Sequence, residues 1–137
     1  MRTGDVLPPV VDDMTYRRVV MGPGTTGDWF AGHYDPAYAQ SQGQPAIYAN
    51  SLQLFGLLDK AASSWAGPGA FLVRRAVRFQ LSVYAGDTVT VSGTVRGLRD
   101  GNLLDLDVTA VNQDGGTLCT TVMTMRLAAS DGSGSWS

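Results

Sequence analysis

Pro45-Ala46-Ile47-Tyr48-Ala49-Asn50-Ser51-Leu52-Gln53-Leu54-Phe55-Gly56-Leu57-Leu58-Asp59-Lys60-Ala61-Ala62-Ser63-Ser64-Trp65 is the stretch on which the fold turns. Proline opens it, and apolar side chains then recur at Ile47, Leu52, Leu54, Phe55, Leu57, Leu58, Ala61, Ala62 and Trp65. Asp59 and Lys60 are its only charges. A helix that is apolar on nearly every side is a buried helix, and the pattern predicts one from Ala46 to Trp65. Gly67-Pro68-Gly69 ends it, since proline cannot continue a helix and glycine is free to turn out of one.

Downstream, the period changes from helical to alternating. Ala70–Ser82, Asp87–Leu98, Asn102–Asn112 and Thr117–Ala128 carry the β-branched or alternating pattern of strands. Tyr84-Ala85-Gly86-Asp87, Asp100-Gly101-Asn102 and Gln113-Asp114-Gly115-Gly116 separate them with turn chemistry, which predicts antiparallel neighbours joined as a meander. Upstream, Gly4 to Pro9 reads as an irregular lead-in, because adjacent prolines remove two backbone donors. Thr15 to Met21 reads as the first strand, broken by Gly22-Pro23-Gly24. Asp35-Pro36 starts a short helix, aspartate capping and proline at the first turn, that stops near Gln42 and Gly43. A buried helix and five antiparallel strands have one economical packing, in which the sheet curls around the helix. The expected fold is therefore α+β: a single hotdog domain over residues 1–129, with a Gly/Ser-rich tail at 130–137. Such a sheet leaves a long edge strand, and pairing through it with a second hotdog is expected.

Composition narrows the class. The chain has 137 residues, 44% of them hydrophobic, with a mean hydropathy of -0.01, as in an ordinary soluble globule. No apolar run approaches the roughly 20 residues of a bilayer helix, and Met1 to Asp5 shows no secretory pattern, so a cytoplasmic protein that does not engage membranes is expected. Ten basic residues stand against twelve acidic ones, without the basic run and interleaved aromatics of a nucleic-acid surface. Arg74, Arg75 and Arg78 cluster; they read first as the solvated face of a strand and second as a site for the phosphates of a small ligand. Cys119, the single cysteine, sits in a strand pattern and reads as a small buried hydrophobe.

The chemistry is concentrated in Gly27-Asp28-Trp29-Phe30-Ala31-Gly32-His33-Tyr34-Asp35-Pro36-Ala37-Tyr38-Ala39, which holds the only histidine. A carboxylate and an imidazole delivered by one short loop can hold and activate a water. Taken alone, such a pair near a helix start more often caps a helix and decorates a surface. Asp35 reads as an N-cap. Trp29, Tyr34 and Tyr38 read as packing groups, and Phe55, Leu57, Leu58 and Trp65 as core.

In this order along the chain, Gly27-Asp28, His33, Asp35-Pro36 and Ala39 resemble the signature of the MaoC-like (hydratase-2) enoyl-CoA hydratases, which are hotdog proteins. Pro45 to Leu52 resembles the start of their central helix, and Phe79 to Val91, with Gly86-Asp87-Thr88, their strand–turn–strand. The resemblance spans about Thr15 to Val122. Two departures stand out. Phe30-Ala31 replaces the usual Asn-Pro, and Ala49-Asn50 replaces the usual His-Gly whose glycine amide faces the thioester carbonyl. With Asp28-Trp29-Phe30 and Ser64 to Pro68, these make the chain most similar to the small catalytic subunit of actinobacterial heteromeric hydratases acting on steroid side-chain enoyl-CoA thioesters.

The resemblance implies a mechanism and partners. Asp28 and His33 would hold one water, with Asp28 as base and His33 orienting it and managing the proton. The enolate-like oxygen would meet backbone N–H groups at the helix start, about Asn50, where the helix dipole favours negative charge. No cofactor or metal is implied. The implied partners are an enoyl-CoA thioester and a second MaoC-like subunit, in a heterodimer or heterotetramer, or else a homodimer. Fold alone also admits a hotdog thioesterase, or a non-catalytic subunit that shapes a partner's pocket.

Overall fold

A computed structural model describes residues 2–19, 31–49 and 51–128. Five strands form one antiparallel sheet: β1 (Val6–Asp13), β2 (Phe71–Phe79), β3 (Thr88–Arg99), β4 (Leu103–Val111) and β5 (Thr117–Arg126), in spatial order β1-β3-β4-β5-β2. Before β2 lie α1 (Pro36–Ser41) and the long α2 (Ser51–Ala66), besides helical residues 16–19. A single 3-10 turn at Ala31–His33 leads into α1. The sheet wraps α2, which packs against all five strands. This is the hotdog fold, α+β, that the alternation and the apolar helix predict. Among the described residues no helix is long and apolar enough to cross a membrane.

The core sits between α2 and the concave face. Leu54, Leu57, Leu58, Ala61, Ala62 and Trp65 are buried on the helix, a 3–4 spacing that places them on one stripe. Val89, Val91 and Val95 meet them from β3, Leu104, Leu106, Val108 and Ala110 from β4, and Leu118, Cys119, Met123 and Met125 from β5. Alternate residues on these strands face out, as the two-residue period of a strand requires. The helix is not buried all round, however: Gly56, Lys60, Ser63 and Ser64 are exposed along its other side. Its regular part also begins at Ser51 rather than Ala46.

Two N-terminal expectations are corrected. The segment with Pro8 and Pro9 is a strand, and residues 16–19, expected to be strand, are helical. Both have a physical reason. β1 is an edge strand whose pairing with β3 shifts between Leu7 and Val10, and edges and bulges are where a sheet accepts proline. Thr15 acts as a cap: its hydroxyl accepts from the Arg18 N–H at 3.2 Å and its carbonyl from the Val19 N–H at 3.1 Å, so its β-branched character does not decide the segment. The expected break at Gly22-Pro23-Gly24 and the tail 130–137 lie outside the described residues.

The meander holds for β3, β4 and β5, but β2 and β3 are not neighbours, since β2 pairs with β5 at the opposite side of the sheet. The link through Tyr84-Ala85-Gly86-Asp87 is therefore a crossing rather than a hairpin. At Asp100-Gly101 the hairpin is tight, with φ of 52° and 79°, the paired positive values that join twisted strands well.

Candidate active site

The short helix α1 is placed by its cap. Asp35 Oδ1 accepts from the backbone N–H groups of Ala37 at 3.0 Å and Tyr38 at 3.3 Å, Pro36 occupies the first turn, and Gly43 follows with a φ of 82°. This anchors the 3-10 turn just upstream, whose last residue is His33. His33 is buried, with 7% of its surface exposed.

Its ring is held from the segment that leads into α2. His33 Nδ1 lies 2.8 Å from the carbonyl oxygen of Tyr48. A carbonyl can only accept, so Nδ1 carries the proton, and in the neutral ring Nε2 holds the lone pair. The Tyr48 N–H donates to the Gly32 carbonyl at 3.2 Å, and the Tyr48 ring meets the imidazole edge-on, 5.0 Å between centroids at 80°. The phenol in turn donates to Gln42 Oε1 at 3.3 Å. Gly32 is required beneath that ring: a Cβ there would fall onto the Tyr48 hydroxyl, and 2.6 Å from the ring carbon that bears it.

Tyr48 itself rests on the crossing between β2 and β3. The Ala49 N–H donates to Val83 O at 2.8 Å and the Ala85 N–H to Ile47 O at 2.9 Å, so residues 47–49 run antiparallel to 83–85 around a Tyr48–Tyr84 bridge. Asp87 fixes that platform. Its carboxylate accepts from the Tyr84 N–H at 2.8 Å and from Gln113 Nε2 at 3.0 Å; both oxygens of this buried acid are thus satisfied. The Gly86-Asp87-Thr88 turn is structural, two contacts removed from the imidazole, and it orients the chain that orients His33.

Of the residues expected in the site, His33 is placed as described. Asp28, Asn50, Trp29 and Phe30 lie outside the described residues. Tyr34 and Tyr38, expected to pack rather than to touch substrate, are 39% and 37% exposed. The arginine cluster divides: Arg75 turns inward to an ion pair with Asp59 and lies 4.2 Å from the Phe55 ring centroid, while Arg74 and Arg78 are exposed. Cys119 is buried, and burial pushes its thiol pKa up, as for an inert core thiol. Sequence reasoning missed Tyr48 and Gly32; the signal available was an aromatic three residues before the helix and a glycine directly before the histidine. Among the described residues no three of His, Cys, Asp and Glu converge as a metal site would need. A depression of about 610 Å³ is lined by Ala76, Arg78, Asp107, Thr109, Thr120 and Val122, among others, so it opens on the outer face of the sheet and does not include His33.

A family described as MaoC like domain matches residues 12–114. The 3-oxo-4,17-pregnadiene-20-carboxyl-CoA hydratase beta subunit of Mycobacterium tuberculosis is 36% identical over 97 residues, covering 71% of this chain and 74% of that protein. The crystal structure of the ChsH1-ChsH2 complex from Mycobacterium tuberculosis superposes with a TM-score of 0.86 at 30% identity, over 91% of this chain and 97% of that one. The (R)-hydratase from A. caviae involved in PHA biosynthesis superposes with a TM-score of 0.85 over 93% and 97%, at 21% identity, a likeness of fold alone.

Proposed function

This chain belongs to the MaoC-like domain family, and on that premise we propose that it adds water across the 2,3 double bond of an enoyl-CoA thioester. It does so as the catalytic half of a heteromeric complex in steroid (cholesterol) side-chain degradation. Asp28 and His33 hold one water between them. Asp28 takes a proton from it as the oxygen bonds to C3, and the displaced π electrons move onto the thioester oxygen. Backbone N–H groups about Asn50, at the start of α2, meet that oxygen. Collapse of the enolate returns a proton to C2 through the Asp28–His33 pair, giving a 3-hydroxyacyl-CoA and restoring both groups.

The observation that carries this reading is the buried imidazole of His33, its tautomer set by the Tyr48 carbonyl just before α2. With Nδ1 committed to a backbone acceptor, Nε2 is the nitrogen suited to orienting a water, and histidine as a residue type exchanges protons near neutral pH. The steroid acyl group and the heteromeric assembly follow the likeness to the Mycobacterium tuberculosis subunit and complex. A second MaoC-like subunit also fits the sheet, whose β2 edge has no strand beyond it among the described residues. On the same reading residues 1–129 make one hotdog domain, and the chain works in the cytoplasm.

The test is substitution within the assembled complex. Asp28→Asn and His33→Ala should each lower hydration by roughly 10² to 10⁴, the range a general acid–base group contributes, with unchanged circular dichroism. Full activity in both variants would end the proposal and leave the chain a pocket-shaping subunit.

A further inference from the structure

We infer that β2 selects its partner by charge: it pairs with the acidic strand edge of a second MaoC-like chain and resists pairing with a copy of itself. This rests on the heteromeric reading above and names the chemistry of the partner.

The sheet has two edges, β1 and β2. β1 carries Pro8 and Pro9 beside an irregular pairing, and proline offers no N–H to an incoming strand. β2 has no proline, runs nine residues and, among the described residues, pairs only with β5. Exposed apolar side chains flank its middle, Phe71 and Val73 on one side, Phe79 and Leu81 on the other. A long, partly apolar edge of this kind invites a strand. Between these flanks stand Arg74, Ala76 and Arg78, opposite Thr124, Val122 and Thr120 of β5 and therefore on the outer face. Among the described residues neither Arg74 nor Arg78 forms an ion pair, unlike Arg75.

Self-pairing by a twofold axis makes these charges collide. An antiparallel pair centred on Arg74 or Arg78 sets that arginine against its own copy, and one centred on Ala76 sets Arg74 against Arg78 twice. A pair centred on Arg75 opposes two guanidinium groups on the inner face. Axes at Val73, Val77 and Phe79 avoid a direct clash, and each still leaves two copies of one arginine, Arg74 or Arg78, diagonal to each other. Like charges directly opposite destabilise a strand pair and opposite charges stabilise it. An edge with Asp or Glu at the facing positions turns each of these contacts favourable, while the apolar flanks supply area at both ends.

The chain itself supplies the probe. The double variant Arg74→Glu, Arg78→Glu carries an acidic β2 edge of the required kind, at exposed positions; should it fail to fold, Arg78→Glu alone serves. Analytical ultracentrifugation of wild type, variant and their equal mixture should show the mixed pair at least tenfold tighter than either chain with itself. That gain should shrink as NaCl rises from about 50 to about 500 mM, as screening of exposed charges requires. Ala76→Pro in either chain should abolish the mixed pair. Self-association of wild type as tight as the mixed pair, or a mixed pair insensitive to Ala76→Pro, overturns the inference. Loss of 3′-phosphoadenosine 5′-phosphate binding in the variant, with association unchanged, would overturn it too and give the arginines to a nucleotide phosphate. The readout is mass, so either result leaves the hydratase reading to its own test.

Discussion

His33 is held in place by two neighbours that are not themselves reactive. Tyr48 supplies a carbonyl for Nδ1 and a ring against the imidazole, and Gly32 leaves room for that ring. Because His33 is the only histidine, nitrogen-15 NMR of the imidazole reads one residue: the neutral ring should show Nδ1 protonated and Nε2 bare. The opposite tautomer would remove the Tyr48 carbonyl from its assigned role. Gly32→Ala should drive the phenol off its seat and lower kcat by roughly 10- to 100-fold, the scale of a misplacement of about 1 Å, with KM little changed. Unchanged kcat, or a change confined to KM, would contradict this. The imidazole of His33 was singled out in the sequence because it is the one histidine and precedes a helix cap, while the Asp28 expected beside it lies outside the described residues. The tautomer was not legible, because a backbone carbonyl has no sequence identity and its position depends on the crossing at residues 83–85.

Strands were legible wherever one face is buried. In β4 every second residue is buried from Leu104 to Ala110, so the alternation in the sequence is the alternation in the fold. β1 escaped because it is an edge, where proline is tolerated and much of the strand is exposed, and the helical residues 16–19 escaped because a capping threonine looks like a strand residue. On the outer face of the sheet, polar pairs take the place of packing. Arg99 binds Asp105 through two nitrogens, at 2.6 and 3.0 Å, and the Thr124 hydroxyl donates to the same carboxylate at 2.7 Å. The Arg99 hydrogen bond first, and the Thr124 hydroxyl second, hold the Asp105 pKa down at about 2, against an ordinary 3.8. A depressed carboxylate adds stability that is present above its unfolded pKa and is lost as pH falls through its folded one. The melting temperature should therefore fall between about pH 4 and pH 2, and Asp105→Asn should flatten the profile in that window by a small amount, as for a partly exposed pair. An identical acid profile in the variant would show that the pair contributes nothing there.

At the scale of the molecule, the fold is a helix gripped by a five-stranded sheet with β1 and β2 at its edges. The run from Ala46 to Trp65 predicted burial on nearly every side, yet one stripe of α2 stays exposed at Gly56, Lys60, Ser63 and Ser64. Burial on the remaining sides accounts for the core, with Trp65 tied to the far edge by its indole N–H donating to Pro8 O at 2.7 Å. A continuous apolar run cannot report which strands lie beside which, so the placement of β2 next to β5 was illegible in the sequence and emerges only from tertiary pairing. That placement frees the edge on which the proposed partner sits, while the proposed reaction depends on the opposite end of the crossing, at His33. The central claim is that this assembly hydrates a thioester rather than cleaving it. The direct measurement is mass spectrometry of a steroid side-chain enoyl-CoA incubated with the two-subunit complex in oxygen-18 water, alongside a free-thiol assay. The account predicts a 3-hydroxyacyl-CoA carrying one oxygen-18 at C3 and no released thiol; free CoA with oxygen-18 in a carboxylate would contradict it.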